Sequence, residues 1–243
     1  MDKRNDELKT SNYYLAYLDI LGTRDIVAKD KGDKYLHKLD RIYKKAINDK
    51  KFINEHNNKD IFVKIFSDNI LLGIELNKDE EFNKPKLEKI INLTGLIQLN
   101  TLKEGYLLRG SIVRGDFCDT GIFVHGKALI EAVNLEENVA IYPRIIIQRK
   151  NVFLTNPAYI TKDKDDYYYV NSYFFSYEKN FGIFKDKLLA NLKKEKNEKV
   201  KQKIMWFINY HNSYFKNNPV DNIPDIIPEI TLGDILDATK WNC

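Results

Sequence analysis

Blocks of apolar residues separated by polar ones divide the first 150 residues into predicted strands and helices. Residues 13–22, YYLAYLDILG, are almost continuously apolar, which is typical of a buried strand that ends at Gly22. Residues 34–49 repeat apolar side chains every three or four positions, which predicts an amphipathic helix. Residues 62–76, FVKIFSDNILLGIEL, hold two apolar runs interrupted by Ser67-Asp68-Asn69, which predicts a hairpin. In chain order the prediction is a strand, two helices, this hairpin, a helix at about 85–105, a strand at 106–117, a further strand, a helix from about Lys127 to Asn138 and a strand from Arg144 to Gln148.

This order reads βαββαβ once the extra hairpin elements are set aside, and it predicts an α+β fold of the ferredoxin-like kind. The pattern gives no internal repeat and no linker that would force a second domain. We therefore expect a single domain over residues 1–243, with a core at about 11–150 and a C-terminal helical or irregular extension at about 151–243.

The extension has weaker periodicity than the core. Residues 165–180 predict either another strand or an aromatic-rich cap. Residues 184–215 predict one or two amphipathic helices with a lysine-rich, solvated middle, and the aromatic stripe at 204–215 predicts packing into the core or a dimer seam. Residues 219–241 contain three prolines and predict a segment that wraps the surface.

Composition limits the class of partner. The chain has 39 Lys and Arg against 35 Asp and Glu, and this net charge of +4 is too small to predict a nucleic-acid partner but suits a small anionic substrate. The two cysteines, Cys118 and Cys243, lie in no zinc-binding pattern and predict no disulfide framework. No apolar run approaches the roughly 20 residues that cross a bilayer, and the N-terminus lacks the apolar region of a secretory signal. We expect a cytoplasmic protein without a membrane partner.

Two carboxylates occur where burial makes them costly or where strands meet. Asp19 lies inside the first apolar strand, and Asp68 lies at the tip of the hairpin. A turn residue is the simplest explanation of Asp68, because Ser, Asp and Asn side chains bond their own backbone. In a split βαβ fold, however, the first strand and this hairpin are neighbours, so both carboxylates can reach one point. Two carboxylates that converge there would form a site for hard divalent cations, completed by a triphosphate.

Four segments in this order resemble the class III nucleotide cyclase catalytic domain. They are LDILGTRD, KIFSDNILL, LRGSIVRGD and GKALIEAVNLEENVA, within a resemblance that covers about residues 13–148. Within that family the pattern is most similar to the pyrimidine cyclases of Pycsar anti-phage systems. The resemblance aligns the family's Asp-Ile-x-Gly segment with residues 19–22, its second metal-binding Asp with Asp68, and its late helix with Gly126, Ala132, Leu135 and Glu136.

The resemblance implies two divalent cations, Mn²⁺ or Mg²⁺, held by Asp19, Asp68 and the backbone of Ile20. It implies that these metals activate the ribose 3′-hydroxyl for attack on the α-phosphate. Asp19, Asp68 and Arg114 are the predicted catalytic residues. The backbone around a helix start would bind phosphate, as such termini do for anions. The predicted substrate-binding residues are Ile20, Leu21, Gly22, Thr23, Lys64, Arg109, Phe123 and Arg144.

The sequence departs from the family at the transition-state arginine and the base-reading pair. The late helix carries Ile130 and Asn134 where most members have an Asn and the Arg. Phe123 stands in place of the base-selecting Asp, although Lys64 matches the base-contacting Lys. The missing positive charge could come from Arg109, Arg114, Arg144 or a partner subunit. Because Arg109 and Arg114 are five apart on one strand, they point to opposite faces; at most one is expected in the site, and we favour Arg114 for its place near Gly115. Glu131 and Glu136 are interpreted as ordinary helix carboxylates.

The function so predicted is cyclisation of UTP or CTP to a 3′,5′-cyclic pyrimidine monophosphate with release of pyrophosphate. The resemblance also implies a homodimer with active sites at its interface, and a separate effector protein that reads the product during antiviral defence. Two alternatives stay open. One is a palm-domain enzyme that makes cyclic oligonucleotides with the same two carboxylates, and the other is a catalytically silent palm domain that binds a nucleotide or a partner.

Overall fold

The computed structural model describes residues 8–55, 61–176, 181–218 and 229–239. One sheet runs through it in the strand order β2-β3-β1-β4-β6-β8-β7, and β5 pairs with β4 beside that path. The strands are β1 (Ser11–Ile20), β2 (Ile61–Phe66), β3 (Asn69–Glu75), β4 (Leu108–Asp119), β5 (Val124–His125), β6 (Ile145–Ile147), β7 (Ile160–Lys162) and β8 (Tyr168–Val170). The helices are α1 (Thr23–Lys29), α2 (Lys34–Glu55), α3 (Lys84–Lys103), α4 (Lys127–Asn138), α5 (Arg149–Val152), α6 (Gly182–Lys194), α7 (Glu198–Asn217) and α8 (Leu232–Thr239).

The first four strands form a ferredoxin-like core. Strand β1 pairs antiparallel with β3 on one side and with β4 on the other, and β2 pairs antiparallel with β3. Together with the helices between them, this order is that of the split βαβ plan, so the predicted α+β, ferredoxin-like fold with a C-terminal helical extension is confirmed. Strand β6 then adds parallel to β4, and β8 and β7 extend the sheet in antiparallel pairs.

The two faces of β1 bury different sets of side chains, because successive residues of a strand point to opposite sides. Tyr14, Ala16, Leu18 and Ile20 belong to a cluster formed with α2 and α3. Leu15 and the partly buried Tyr17 belong to another cluster, which includes Ala128 and Ala132 of α4. By this alternation Asp19 points to the α4 side of the sheet.

Helix α4 begins and ends where the sequence predicted, at Lys127 and Asn138. Gly126 precedes it with a φ of 150°, and a Cβ added there would lie 2.2 Å from the backbone oxygen of Asp116. Only glycine permits this close approach of the helix start to β4. The approach holds α4 against the face to which Asp19 points.

The extension packs against the core through a set of residues that we call the extension cluster. Its fully or largely buried members are Leu99, Leu102, Leu107, Ala140, Ile146, Tyr169, Tyr173, Phe184, Leu188, Leu192, Ile204, Phe207, Ile208, Tyr210, Phe215, Ile230 and Ala238. The aromatic stripe at 204–215 is thus core packing, one of the two predicted alternatives. Asn197 caps α7 by accepting from the N–H of Lys199, so the predicted helical stretch divides into α6 and α7.

Two elements of the extension differ from the prediction. Strand β7 was not predicted, because its three residues are too few to show a period. Helix α8 lies within the segment expected to wrap the surface, whereas residues 219–228 of that segment and Cys243 lie outside the described residues. Within the described part of the chain, no helix combines the length and the apolar character needed to cross a membrane.

Candidate functional site

The structure brings Asp19 and Asp68 together at one end of the sheet. Asp19 is the register partner of Asn69, the residue that follows Asp68. The N–H of Ile20 donates to the backbone oxygen of Asp68 at 3.3 Å, which ties the end of β1 to the hairpin tip. Burial raises the pKa of the Asp19 carboxyl; Arg109 opposes the shift and the nearby charge of Asp68 adds to it. Two neighbouring carboxylates of this kind form a site whose charge a divalent cation would neutralise.

The hairpin tip is held in place by tyrosines. Ser67 has a φ of 57°, in the left-handed region, and its carbonyl accepts a hydrogen bond of 2.6 Å from Tyr43 Oη on α2. Tyr17 Oη donates to Asn69 Oδ1 at 2.7 Å from the face of β1 that also carries Asp19. Burial, with the charges of surrounding carboxylates, raises the pKa of Tyr17 to about 12, so its hydroxyl stays a donor at neutral pH. Asn69, held in this way, donates from Nδ2 to Asp68 Oδ1 at 3.3 Å, which orients the Asp68 carboxylate.

Arg109 lies directly beside Asp19 on β4. Its Nε is 3.3 Å from Asp19 Oδ2 and 2.5 Å from Oε1 of Glu136 on α4, and its Nη1 donates to the Glu136 backbone oxygen at 3.4 Å. Its side chain is 19% exposed, against 3% for Glu136. One guanidinium therefore serves two carboxylates at the mouth of the site.

Glu136 is a site residue that sequence reasoning missed. Burial raises its pKa to about 7, although Arg109 lowers it, while Asp19 and the neighbouring Glu137 raise it further. The signal that could have found it is spacing. Ala128, Ala132 and Glu136 are four apart, so the glutamate shares the helix face of the two buried alanines.

The turn that follows Asp19 is only partly available for phosphate. The N–H of Ile20 donates to Asp68, as above, and the N–H of Leu21 donates to Leu107 at 2.9 Å, which leaves the Gly22 and Thr23 N–H groups as candidates. Gly22 has a φ of 83°, a conformation that favours glycine, and precedes the short helix α1. Thr23 Oγ1 donates to the Ile20 carbonyl at 2.7 Å, so that oxygen keeps one lone pair for a metal.

Lys64 lies on the same side of the sheet as Asp19 and has a carboxylate partner that the sequence analysis missed. Its Nζ is 2.8 Å from Asp119 Oδ1 at the end of β4. Burial opposes ionisation of Asp119, but the hydrogen bond from Lys64 and the Gly121 N–H lower its pKa below the ordinary value. Asp119 and Arg109 are ten apart on β4 and share a face, which is the signal that could have found it. Phe123 follows in the same loop, with its ring half exposed.

Two predicted site residues lie elsewhere. Arg114 points to the opposite face of the sheet, where its guanidinium pairs with Glu80 and lies 6.0 Å from the ring centre of Tyr14. The preference for Arg114 over Arg109 is therefore wrong as a placement, because odd-numbered residues of β4 face α4 and even-numbered ones face α3. Arg144 is 2% exposed and pairs with Asp163 and Asp165, so its charge is engaged within the fold.

The donor set fits hard divalent cations. Among the described residues no three His, Cys, Asp or Glu side chains converge as a metal-binding group. The protein would therefore supply the carboxylates of Asp19 and Asp68 and the Ile20 carbonyl. Mg²⁺ and similar ions are commonly held in this way, by one or two carboxylates together with substrate phosphates and water.

No family model matches the chain, and no curated protein was found that matches it. Solved structures of similar fold include the monomeric guanylyl cyclase domain of the RhoGC fusion protein from the aquatic fungus Blastocladiella emersonii, with a TM-score of 0.49 and 10% identity over 67% of this chain and 96% of that one. The catalytic core of a rhodopsin-guanylyl cyclase with converted specificity, in complex with ATPαS, gives 0.48 and 11% over 67% and 97%. A bacterial light-regulated adenylyl cyclase gives 0.47 and 13% over 82% and 59%. These likenesses concern the backbone alone, and the fold assignment rests on the strand order of this chain.

Proposed function

We propose that this protein is a metal-dependent nucleotide cyclase that converts UTP or CTP to the 3′,5′-cyclic monophosphate and pyrophosphate. The observation that supports the proposal most directly is the convergence of Asp19 and Asp68, joined through the Ile20 N–H. In the reaction the O3′–Pα bond forms, the bond from Pα to the β-phosphate oxygen breaks, and the 3′-hydroxyl proton leaves to solvent. Bound Mn²⁺ or Mg²⁺ would lower the pKa of that hydroxyl and stabilise the leaving pyrophosphate.

The residues around the carboxylates have separate roles in this proposal. Asp19, Asp68 and the Ile20 carbonyl would hold the cations, and the N–H groups of Gly22 and Thr23 would contact phosphate. Arg109 would stabilise charge on the transferred phosphoryl group once the metals relieve its contact with Asp19, since the two lie 3.3 Å apart. This is the role that the sequence analysis gave to Arg114.

Lys64 and Asp119 would read the base. A lysine donates and a carboxylate accepts, so the pair complements any base edge that offers an acceptor beside a donor. Cytosine offers its N4 amino group and uracil its N3–H as the donor. The half-exposed ring of Phe123 would stack on the base. The proposal of a pyrimidine rests on the sequence resemblance, and the pair accommodates it.

The proposal extends to assembly and role. A homodimer would complete each active site, and exposed apolar side chains beside the site, Phe66 and Phe123, are of the kind that interfaces cover. The cyclic product would act in the cytoplasm as a second messenger of Pycsar-type antiviral defence, read by a separate effector protein. A plaque assay with the chain and its effector, with and without Asp68→Ala, would test that role.

Product analysis tests the reaction itself. Purified protein is incubated with ATP, GTP, CTP or UTP and Mn²⁺, and the products are resolved by mass. We expect a cyclic mononucleotide from one pyrimidine triphosphate, lost by at least about 10³-fold in Asp68→Ala, because removing a metal ligand costs several kcal/mol of transition-state stabilisation. Asp40→Ala is the matched control, since Asp40 lies on the exposed face of α2 and pairs with Lys44. A cyclic oligonucleotide, or a product that survives Asp68→Ala, would contradict the proposal.

A silent nucleotide-binding domain is the second candidate, favoured by the engagement of Arg109 with Glu136 and by Asn134 at the position of the helix arginine. It predicts metal-dependent nucleotide binding without turnover of any triphosphate.

A further inference from the structure

Helix α2 contacts both segments that carry the proposed metal ligands. One segment is the turn after Asp19, with the Ile20 carbonyl, and the other is the hairpin tip that presents Asp68. The N–H of Leu21 donates to Leu107, next to β4, so the Ile20 carbonyl of the same peptide group points the other way, to the hairpin side of β1. The carbonyl and the Asp68 carboxylate therefore belong to one site, and α2 reaches both of the segments that bear them.

The first contact runs from Tyr35 through Thr23 to the Ile20 carbonyl. Thr23 Oγ1 donates to that carbonyl at 2.7 Å and lies 3.2 Å from Tyr35 Oη. Because a threonine hydroxyl has one hydrogen, Tyr35 is the donor in the bond to Thr23. Tyr35 is 4% exposed, and its backbone N–H donates to Asp30 Oδ2 at 3.0 Å. The tyrosine hydroxyl thus has a fixed position from which it directs the threonine hydroxyl to the carbonyl.

The second contact joins Tyr43 to the residue that precedes Asp68. Tyr43 Oη donates to the Ser67 carbonyl at 2.6 Å. Ser67 has a φ of 57°, a conformation that is costly for a residue other than glycine and that persists when its surroundings hold it. The Ser67 carbonyl belongs to the peptide group that also contains the Asp68 N–H. The bond from α2 therefore orients the backbone from which the Asp68 side chain projects.

The helix that carries the two tyrosines is anchored by other residues as well. Ile42 and Ala46 are buried in the cluster that α2 forms with α3 and the sheet. Arg41 donates to both carboxylate oxygens of Glu104, at 3.0 and 2.7 Å. The two tyrosines are eight residues apart, which is about 12 Å along the helix axis. A fixed helix therefore supports the two ligand segments at a defined separation.

We propose that Tyr35 and Tyr43 are positioning residues of the metal site, through which helix α2 sets the separation and direction of the Ile20 carbonyl and the Asp68 carboxylate. The inference rests on the proposed function, because it takes these two groups to be metal ligands. Neither tyrosine touches the cation; each acts through the residue that it holds. Contacts that orient metal ligands in this way commonly change metal affinity by about 10- to 100-fold when they are lost.

Binding of Mn²⁺ to the metal-free protein tests this role without turnover. Electron paramagnetic resonance of free Mn²⁺ would give the affinities of the wild type, Tyr35→Phe, Tyr43→Phe and Tyr210→Phe, and Asp68→Ala would identify the binding that belongs to the site. Tyr210 is the matched control, because its hydroxyl donates to Asn171 Oδ1 at 3.0 Å, outside α2 and both ligand segments. We expect Tyr35→Phe and Tyr43→Phe each to weaken Mn²⁺ binding by at least about 10-fold. Tyr210→Phe should bind as the wild type does.

A double substitution separates the relay from a general loss of stability. Thr23→Val removes the hydroxyl between Tyr35 and the Ile20 carbonyl, so adding Tyr35→Phe to it should not weaken Mn²⁺ binding again, and a second loss would contradict the relay. Wild-type Mn²⁺ affinity in either single Phe variant of α2, an equal loss in Tyr210→Phe, or no Asp68-dependent binding by the wild type would overturn the inference. Tyrosine-dependent Mn²⁺ binding without a cyclic product from any triphosphate would overturn the proposed function and leave the inference standing. A cyclic product with Mn²⁺ affinity unchanged in the variants would do the reverse.

Discussion

Arg109 and Arg144 begin neighbouring regions of the sheet, on β4 and just before β6, and each contacts two carboxylates. Arg144 is 2% exposed and is enclosed by Asp163 and Asp165 of the β7–β8 turn, with a further 3.0 Å bond to the Val139 carbonyl. Arg109 is 19% exposed and lies between Asp19 and Glu136. The same residue types therefore build two ion clusters within one fold.

The pKa values of the carboxylates are shifted in opposite directions in the two clusters. The hydrogen bond from Arg144 lowers the pKa of Asp165, as in an ion pair that stabilises the fold. Burial raises the pKa values of Asp19 and Glu136 in spite of Arg109. Asp163 is also supported by Trp206, whose Nε1 donates to it at 3.2 Å. The Arg144 cluster favours the ionised form of Asp165, whereas burial in the Arg109 cluster opposes ionisation of both carboxylates, which a bound cation would favour.

Substituting the two arginines should give the largest difference in stability between the two clusters. Arg144→Met leaves two aspartates beside a buried apolar side chain, and we expect the free energy of unfolding to fall by about 3 to 5 kcal/mol. Arg109→Met should cost less than about 2 kcal/mol at pH 7, because Glu136, with a pKa near neutrality, can take up a proton. Urea unfolding followed by tryptophan fluorescence measures both.

The loss of activity should be larger for Arg109→Met than for Arg144→Met, the reverse of the order expected for stability. Arg109→Met should lose cyclase activity by at least about 100-fold, the loss expected for one group that stabilises transition-state charge. Arg144→Met should keep its activity below its unfolding transition. Equal stability losses in the two variants would contradict the distinction between the clusters.

The pH dependence of stability should show that burial opposes ionisation in the Arg109 cluster. The pKa of Glu136 is raised from 4.5 to about 7 on folding, so the native state binds its proton more tightly than the unfolded chain does. The stabilisation is present below pH 4.5 and is lost as the pH rises to 7. For the metal-free protein we expect a decrease of about 2 to 3 kcal/mol over this window from Glu136, with Asp19 adding the same sign.

The difference between variants isolates this contribution. Glu136→Gln should remove most of the slope, whereas Glu137→Gln, at the exposed neighbouring position, should keep most of it, because Glu137 contributes less to the shift than burial and Asp19 do. Saturating Mn²⁺ should flatten the part of the slope that belongs to Asp19. A slope that persists in Glu136→Gln would assign the titration to another group.

The sequence predicted the elements that are long enough to show a hydrophobic period or that contain a recognisable turn. Helix α4 was placed from Lys127 to Asn138, and the β2–β3 hairpin around Ser67-Asp68, because apolar spacing and turn chemistry act locally. Strand β7 has three residues and carries no readable period. The ferredoxin-like order followed from the sequence of elements, since few topologies accommodate βαββαβ.

The site was less accessible to sequence reasoning. Asp19 and Asp68 could be named because each interrupts an apolar run. Glu136 and Asp119 were missed, because spacing indicates only which face each residue shares, whereas their roles depend on partners 27 and 55 residues away, Arg109 and Lys64. The choice between Arg109 and Arg114 depended on which face of β4 carries α4, and only the packed structure gives that.

The ion pair of Lys64 and Asp119 is expected to affect stability least, and it extends the comparison of the two arginine clusters. Lys64 and Asp119 have side chains that are 28% and 21% exposed, and such pairs contribute at most about 1 kcal/mol. Asp119→Asn should therefore shift the free energy of unfolding by no more than this.

If the pair reads the base, the same substitution should change the ratio of kcat/KM between pyrimidine and purine triphosphates by about 10-fold, as loss of one discriminating contact does. Asp166→Asn is the matched control, because Asp166 pairs with Lys162 at 2.7 Å in the β7–β8 turn, away from Lys64. An unchanged ratio would place Lys64 and Asp119 with Arg144, as residues that hold the fold, and would leave base choice to the shape of the pocket around Phe123.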